Sequence, residues 1–215
     1  MERCRRLLVS GLESLQLDLS ENQIDRLLAF ILLIEKWNKA YNLTAIRNRE
    51  EMVSLHLLDS LAVLPYIEGG RVIDIGTGAG LPGIPLAIAR PETAFTLLDS
   101  NAKKTRFVQQ AAIELKLKNV DVRLGRVENH HPKAAFTTAI ARAFATLPEI
   151  VKLSSHLLGK DGILLAMKGQ KADTEVAQLA AKTDLIPLLI PGVKVERYLI
   201  KLKVQDISEE MVWEK

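Results

Sequence analysis

The chain has 215 residues and a mass of 23.9 kDa, enough for one domain with a small extension. Its 48% hydrophobic and 26% charged residues are globular values and exclude a mainly disordered or low-complexity chain. The net charge of +3 is unevenly placed: residues 101–134 carry 8 basic and 3 acidic groups, so this stretch holds the whole surplus and is a candidate phosphate-binding face.

At the N-terminus, Arg3, Arg5 and Arg6 precede an apolar stretch broken by Ser10, Gly11 and Glu13, which makes a poor secretory signal. The single cysteine, Cys4, excludes an internal disulfide or a cysteine metal cluster. Leu7, Leu8, Gly11, Leu12 and Leu15 repeat at helical spacing. Ser20 and Gln23 form a capping box that opens a helix running to about Lys39. That helix is apolar on most sides from Leu27 to Ile34, so burial is expected; the run is far too short for a membrane span. A further helix is predicted from Arg49 to Leu64, stopped by Pro65.

From Arg71 the texture changes. Val72–Ile75 reads as a buried strand, followed by a glycine-rich turn and a helix ended by Pro91. Strands are predicted at Ala94–Leu98, Val120–Leu124, Thr138–Ala141 and Ile163–Met167, with helices at Ala102–Leu117, Leu147–Leu158 and Thr174–Lys182. Gly159 to Gly162 reads as a turn. Residues 185–190 and 197–204 are strand-like with a short link at Pro191 and Gly192, which predicts a hairpin and one antiparallel strand. The alternation implies an α/β fold, Rossmann-like, with a mostly parallel sheet covered on both faces. A helical extension over residues 1–66 is expected to precede the main domain at 67–215.

The chemistry gathers at strand ends. Asp74-Ile75-Gly76-Thr77-Gly78-Ala79-Gly80 lets the backbone approach a ligand closely, and the helix beyond offers free N–H groups. The spacing is GxGxG with no Lys-Ser/Thr after it, so this is not a Walker loop. An acid at Asp74 suits an amino group, such as that of S-adenosylmethionine, better than a pyrophosphate. Asp99 ends the second strand, where a carboxylate can accept both ribose hydroxyls; its plainer reading is a helix cap. Val127 and Glu128 follow the third strand and could meet an adenine. Arg142 follows the fourth strand and Lys168 the fifth, as cations bordering the same crevice. His56 and Asp59, three apart, can share a helix face. His130 and His131 lack a third ligand, so no metal is expected.

These stretches closely resemble the bacterial glucose-inhibited division protein B family, the guanine-N7 methyltransferases of small-subunit ribosomal RNA. The resemblance lies in WNKAYNLT at Trp37–Thr44, HLLDS at His56–Ser60, DIGTGAGLPGIP at Asp74–Pro85, LLDS at Leu97–Ser100, RAFA at Arg142–Ala145 and AMKGQ at Ala166–Gln170. It implies a class I methyltransferase fold, S-adenosylmethionine as cofactor, and 16S ribosomal RNA as partner. Family binding positions carry over to Gly76, Leu81, Val127, Glu128 and Arg142. Asp74, Gly78, Gly80, Asp99 and Ser100 complete the expected cofactor set. Arg142 and Lys168 are expected at the guanine, with His56, Asp59, Lys103, Lys104 and Arg106 on the RNA. The family often has Phe-Asp where this chain has Phe136-Thr137. A monomer in the cytoplasm is expected. The rival readings are a methyltransferase acting on a small molecule or protein and a nucleotide-dependent dehydrogenase.

Overall fold

Ser20 caps the long helix as its sequence predicts: its hydroxyl accepts from the Gln23 amide, and the Gln23 side chain returns to the Ser20 backbone. In the computed structural model, which describes residues 1–170, 172–179 and 181–207, this helix, α2, spans Glu21–Tyr41. It buries Leu27, Phe30, Ile31 and Ile34, while Leu32 faces solvent. The preceding helix α1 (Glu2–Ser14) packs on the next helical segment, where a Cβ at Gly11 would lie 2.3 Å from Leu58 Cδ1. Only glycine allows that approach.

That next segment is not the single α-helix predicted. It starts as α3 (Arg49–Met52), widens into a π-helical stretch at Val53–Leu58, and resumes as α4 (Asp59–Leu61). Pro65 does not stop it; the segment has already ended and Pro65 lies in a 3₁₀ turn, Leu64–Tyr66.

Among the described residues, seven strands form one sheet in the order β3-β2-β1-β4-β5-β7-β6. They are β1 (Arg71–Ile75), β2 (Ala94–Asp99), β3 (Val120–Leu124), β4 (Phe136–Arg142), β5 (Leu158–Lys168), β6 (Thr183–Pro187) and β7 (Tyr198–Lys203). The first five pair in parallel, and β7 runs antiparallel between β5 and β6. Helices α5 (Gly83–Ala89) and α6 (Ala102–Glu114) cover one face, joined there by α2. Helix α7 (Leu147–Ser154) covers the other, with the short α8 (Ala172–Val176) beside it.

Four expected boundaries change. Gly159–Gly162 is not a turn between elements; it bulges inside β5, whose pairing jumps from Phe136–Leu158 to Thr138–Ile163. The helix expected to reach Leu158 ends at Ser154 in a 3₁₀ turn, and the one expected to Lys182 ends at Val176, with Ala180 outside the described residues. The hairpin link spans residues 188–197 and is longer than the Pro-Gly pair suggested.

Candidate active site

The C-terminal ends of the parallel strands carry two adjoining cavities. The first, of about 330 Å³, lies over β1, β2 and β3 and is lined by Gly76, Asp99, Ser100, Val127, Glu128 and Phe144 among others. Gly76 and Gly78 have φ of +68° and +59°, a left-handed backbone that L side chains rarely adopt. Both Asp99 oxygens accept backbone N–H groups, Oδ2 from Gly78 and Oδ1 from Asn101, each at 2.8 Å. Each oxygen keeps a further lone pair for a ligand hydroxyl. The helix-cap reading of Asp99 fails: Asn101 caps α6, accepting from Lys103 and Lys104.

Other members of the expected cofactor set lie elsewhere. Asp74 does not line this cavity. It is buried beneath the loop, where Oδ2 accepts from the Thr77 hydroxyl at 2.6 Å and from the Gly83 N–H at 2.8 Å. Burial pushes its pKa up to about 6, and its Oδ1 has no partner among the described residues. The first N–H of α5 is thus engaged with Asp74, which corrects the expectation that this helix presents free N–H groups to a ligand. A Cβ at Gly80 would meet Ile84 and Phe30, and Leu81 is buried, so both belong to the packing under the loop.

The second cavity, of about 460 Å³, lies over β4 and β5 and is lined by His56, Asp59, Arg142, Ala143, Lys168 and Arg197 among others. The extension and the sheet therefore share it. Asp59, nearly inaccessible, accepts from Arg142 Nη1 at 3.0 Å on one oxygen and from Arg197 Nε at 3.1 Å on the other. Arg142 Nη1 also donates to the Leu55 carbonyl, at 3.4 Å, in the π-helical stretch. Arg142 lines this cavity and not the first, contrary to its place in the expected cofactor set. His56 Nε2 lies 3.0 Å from Thr44 Oγ1; burial and the nearby Arg142 charge push its pKa down to about 4, so the imidazole is neutral.

Lys168 was expected at the guanine. Its ammonium instead donates to the Ala145 carbonyl at 2.6 Å and pairs with Glu175 at 2.7 Å, anchoring the loop after β4. Lys103 and Arg106 are exposed on α6, with Lys104 half-buried beside them. Of the rest of the basic stretch, Arg123, Arg126 and Lys133 border a cleft on the opposite face of the sheet. Thr137 lies at the start of β4, bonded to the Arg71 backbone, so the missing family acid would sit at the far end from both cavities. Sequence reasoning assigned no role to Arg197 or Phe144. Phe144 stood inside a quoted motif, whereas Arg197 reaches the site only through tertiary folding.

The family profile of rRNA small subunit methyltransferase G matches residues 23–198. A protein of that name from Nitrosococcus oceani is 50% identical over 200 residues, covering 92% of this chain and 94% of that one. The chain belongs to this family. A second relative of the same name, from Legionella pneumophila, is 50% identical over 91% of this chain and 92% of its own. Among solved structures, a methyltransferase from Geobacter sulfurreducens superposes with a TM-score of 0.61 at 10% identity, covering 81% of this chain and 90% of that one. A SAM-dependent methyltransferase from Aquifex aeolicus gives 0.55 at 16% identity, covering 70% and 92%. These two likenesses concern the fold. No helix of the described residues is long and apolar enough to cross a membrane.

Proposed function

We propose that this protein transfers a methyl group from S-adenosylmethionine to N7 of a guanine in 16S ribosomal RNA. The observation that carries this is the family match over residues 23–198, together with a donor-sized cavity opening beside a second, cation-lined one. The donor cavity suits the cofactor: Asp99 offers free lone pairs at the edge of a loop where a Cβ added at Gly78 would meet no side chain. Asp99 would hold the ribose, with Ser100, Val127 and Glu128 around the adenine. When bound, the cofactor supplies an electrophilic methyl on a positively charged sulfur.

The chain's own task is placement. Guanine N7 has a lone pair and no proton, so no residue must remove one. Orientation of the two reactants can contribute roughly 7–11 kcal/mol. Arg142, held by Asp59 and the Leu55 carbonyl, keeps unused N–H donors for guanine O6 or a phosphate. Lys168 acts by fixing the loop that separates the cavities. Neutral His56 and Asp59 shape the acceptor wall contributed by residues 1–66, while 67–215 carries the donor site. Lys103, Lys104 and Arg106 grip the RNA backbone. The protein works as a monomer in the cytoplasm. Mapping N7-methylguanine in 16S rRNA from cells lacking this protein tests the reading; full retention of every such nucleotide would overturn it.

A further inference from the structure

Phe144 stands between the two cavities. It lines the first, while its chain neighbours Arg142 and Ala143 line the second. Its ring rests on the glycine loop: a Cβ at Gly76 would lie 2.5 Å from Phe144 Cδ2. The loop that aims the ring is fixed on both sides. Ala143 has a φ of +50°, Lys168 Nζ holds the Ala145 carbonyl, and Thr146 with Glu149 forms a capping box for α7. Phe144 is also the one Phe, Tyr or Trp lining either cavity among the described residues. The carboxylates of the donor cavity, Asp99 and Glu128, belong to the ends of β2 and β3, and Asp74 is sealed beneath the loop.

We propose that Phe144 recognises the positive charge of the sulfonium, so that its ring distinguishes the charged methyl donor from the neutral product left after transfer. The inference rests on the methyltransferase reading, in which donor and acceptor occupy neighbouring cavities and the methyl-bearing sulfur belongs at their junction. An aromatic face attracts a cation through its quadrupole, and the attraction grows where water is excluded. Once the methyl has left, sulfur is neutral and that attraction ends. The ring thereby favours exchange of product for fresh donor with no acid beyond Asp59, whose two oxygens are engaged by Arg142 and Arg197.

Calorimetry on the full chain decides it, with S-adenosylmethionine, S-adenosylhomocysteine and a nitrogen analogue carrying a protonated amine in place of the sulfonium. Phe144→Leu keeps an apolar side chain and removes the ring. It should weaken both charged ligands by about tenfold, the order of a desolvated cation–ring contact, and leave S-adenosylhomocysteine within about twofold. Phe144→Tyr, which keeps the ring, should retain the wild-type ratio. Equal losses for charged and neutral ligands, or an unchanged ratio in Phe144→Leu, overturn the proposal and leave the methyltransferase reading standing. Wild-type protein that binds none of the three overturns both.

Discussion

Asp59→Asn is the most informative single change. The carboxylate is bound on both oxygens by different arginines, at 3.0 and 3.1 Å, and its side chain is 4% exposed. Removing one member of a buried ion pair costs about 3–5 kcal/mol, because the partner charge is left uncompensated. Here the side chains of Arg142 and Arg197 are 22% and 29% exposed, so water offsets part of the loss. Asn also keeps one oxygen as an acceptor. A destabilisation of about 2–3 kcal/mol is therefore expected, read from urea unfolding at neutral pH. The double variant with Arg197→Gln should be non-additive by at least ~1 kcal/mol, since the two residues share a contact. In single-turnover assays the transfer rate should fall without acquiring a new pH dependence, because Asp59 holds arginines and moves no proton. A destabilisation under ~0.5 kcal/mol, the scale of an ordinary surface change, together with additive behaviour would refute the argument.

Burial pushes the Asp74 pKa up to about 6, from 3.8 for a free aspartate. Between these values the native state binds more protons than the unfolded state, so its contribution to stability is present below about pH 4 and is lost as pH rises through 6. Asp74→Asn should thus gain on the wild type by roughly 2–3 kcal/mol between pH 4 and 7.5 in denaturant titrations; a pH-independent difference contradicts this. Neutralising Lys103, Lys104 and Arg106 together should weaken RNA binding and flatten its salt dependence by up to ~0.7–0.9 per lost phosphate contact, with cofactor affinity intact; an unchanged slope would mark α6 as a plain solvated helix. Single-turnover transfer should be nearly flat from mildly acidic to mildly basic pH, and a 7-deaza guanine in the target RNA should abolish transfer but not binding. Efficient methylation of that analogue would show that N7 is not the acceptor.

The parallel strands were legible because burial on both faces leaves short apolar runs, as at Val72–Ile75 and Leu97–Leu98, punctuated by Gly, Pro and Asp. The donor cavity followed from those strand ends. Its finer division was not legible, because Asp74 and Asp99 look alike in sequence and differ only in what folds over them. The π-helical stretch also escaped notice: Val53–Leu58 has an ordinary helical composition, and its wider turn is set by packing partners distant in the chain. Arg197 was invisible for the same reason. It reaches Asp59 across more than half the chain, through a hairpin link with no local motif. Lys168 was correctly placed at a strand end, but spacing cannot tell a lysine that meets a ligand from one that meets a carbonyl.

The burial of α2 against α5 and α6 has a consequence for how the molecule is made. Synthesis delivers residues 1–66 before the sheet, and their helices can form locally as they emerge. Helices α1 and α3 cover part of α2, but Phe30 packs on Phe107 and beside Gly80, so its cover is incomplete until those segments have been translated and have joined the sheet. The nascent chain therefore carries a partly covered apolar face on α2 until Phe107 has emerged, at the stage when aggregation is most dangerous. The same dependence means that the acceptor wall is completed late, by Arg197 from near the end of the described chain, so a partly made protein has a donor cleft before it has anywhere to put a base.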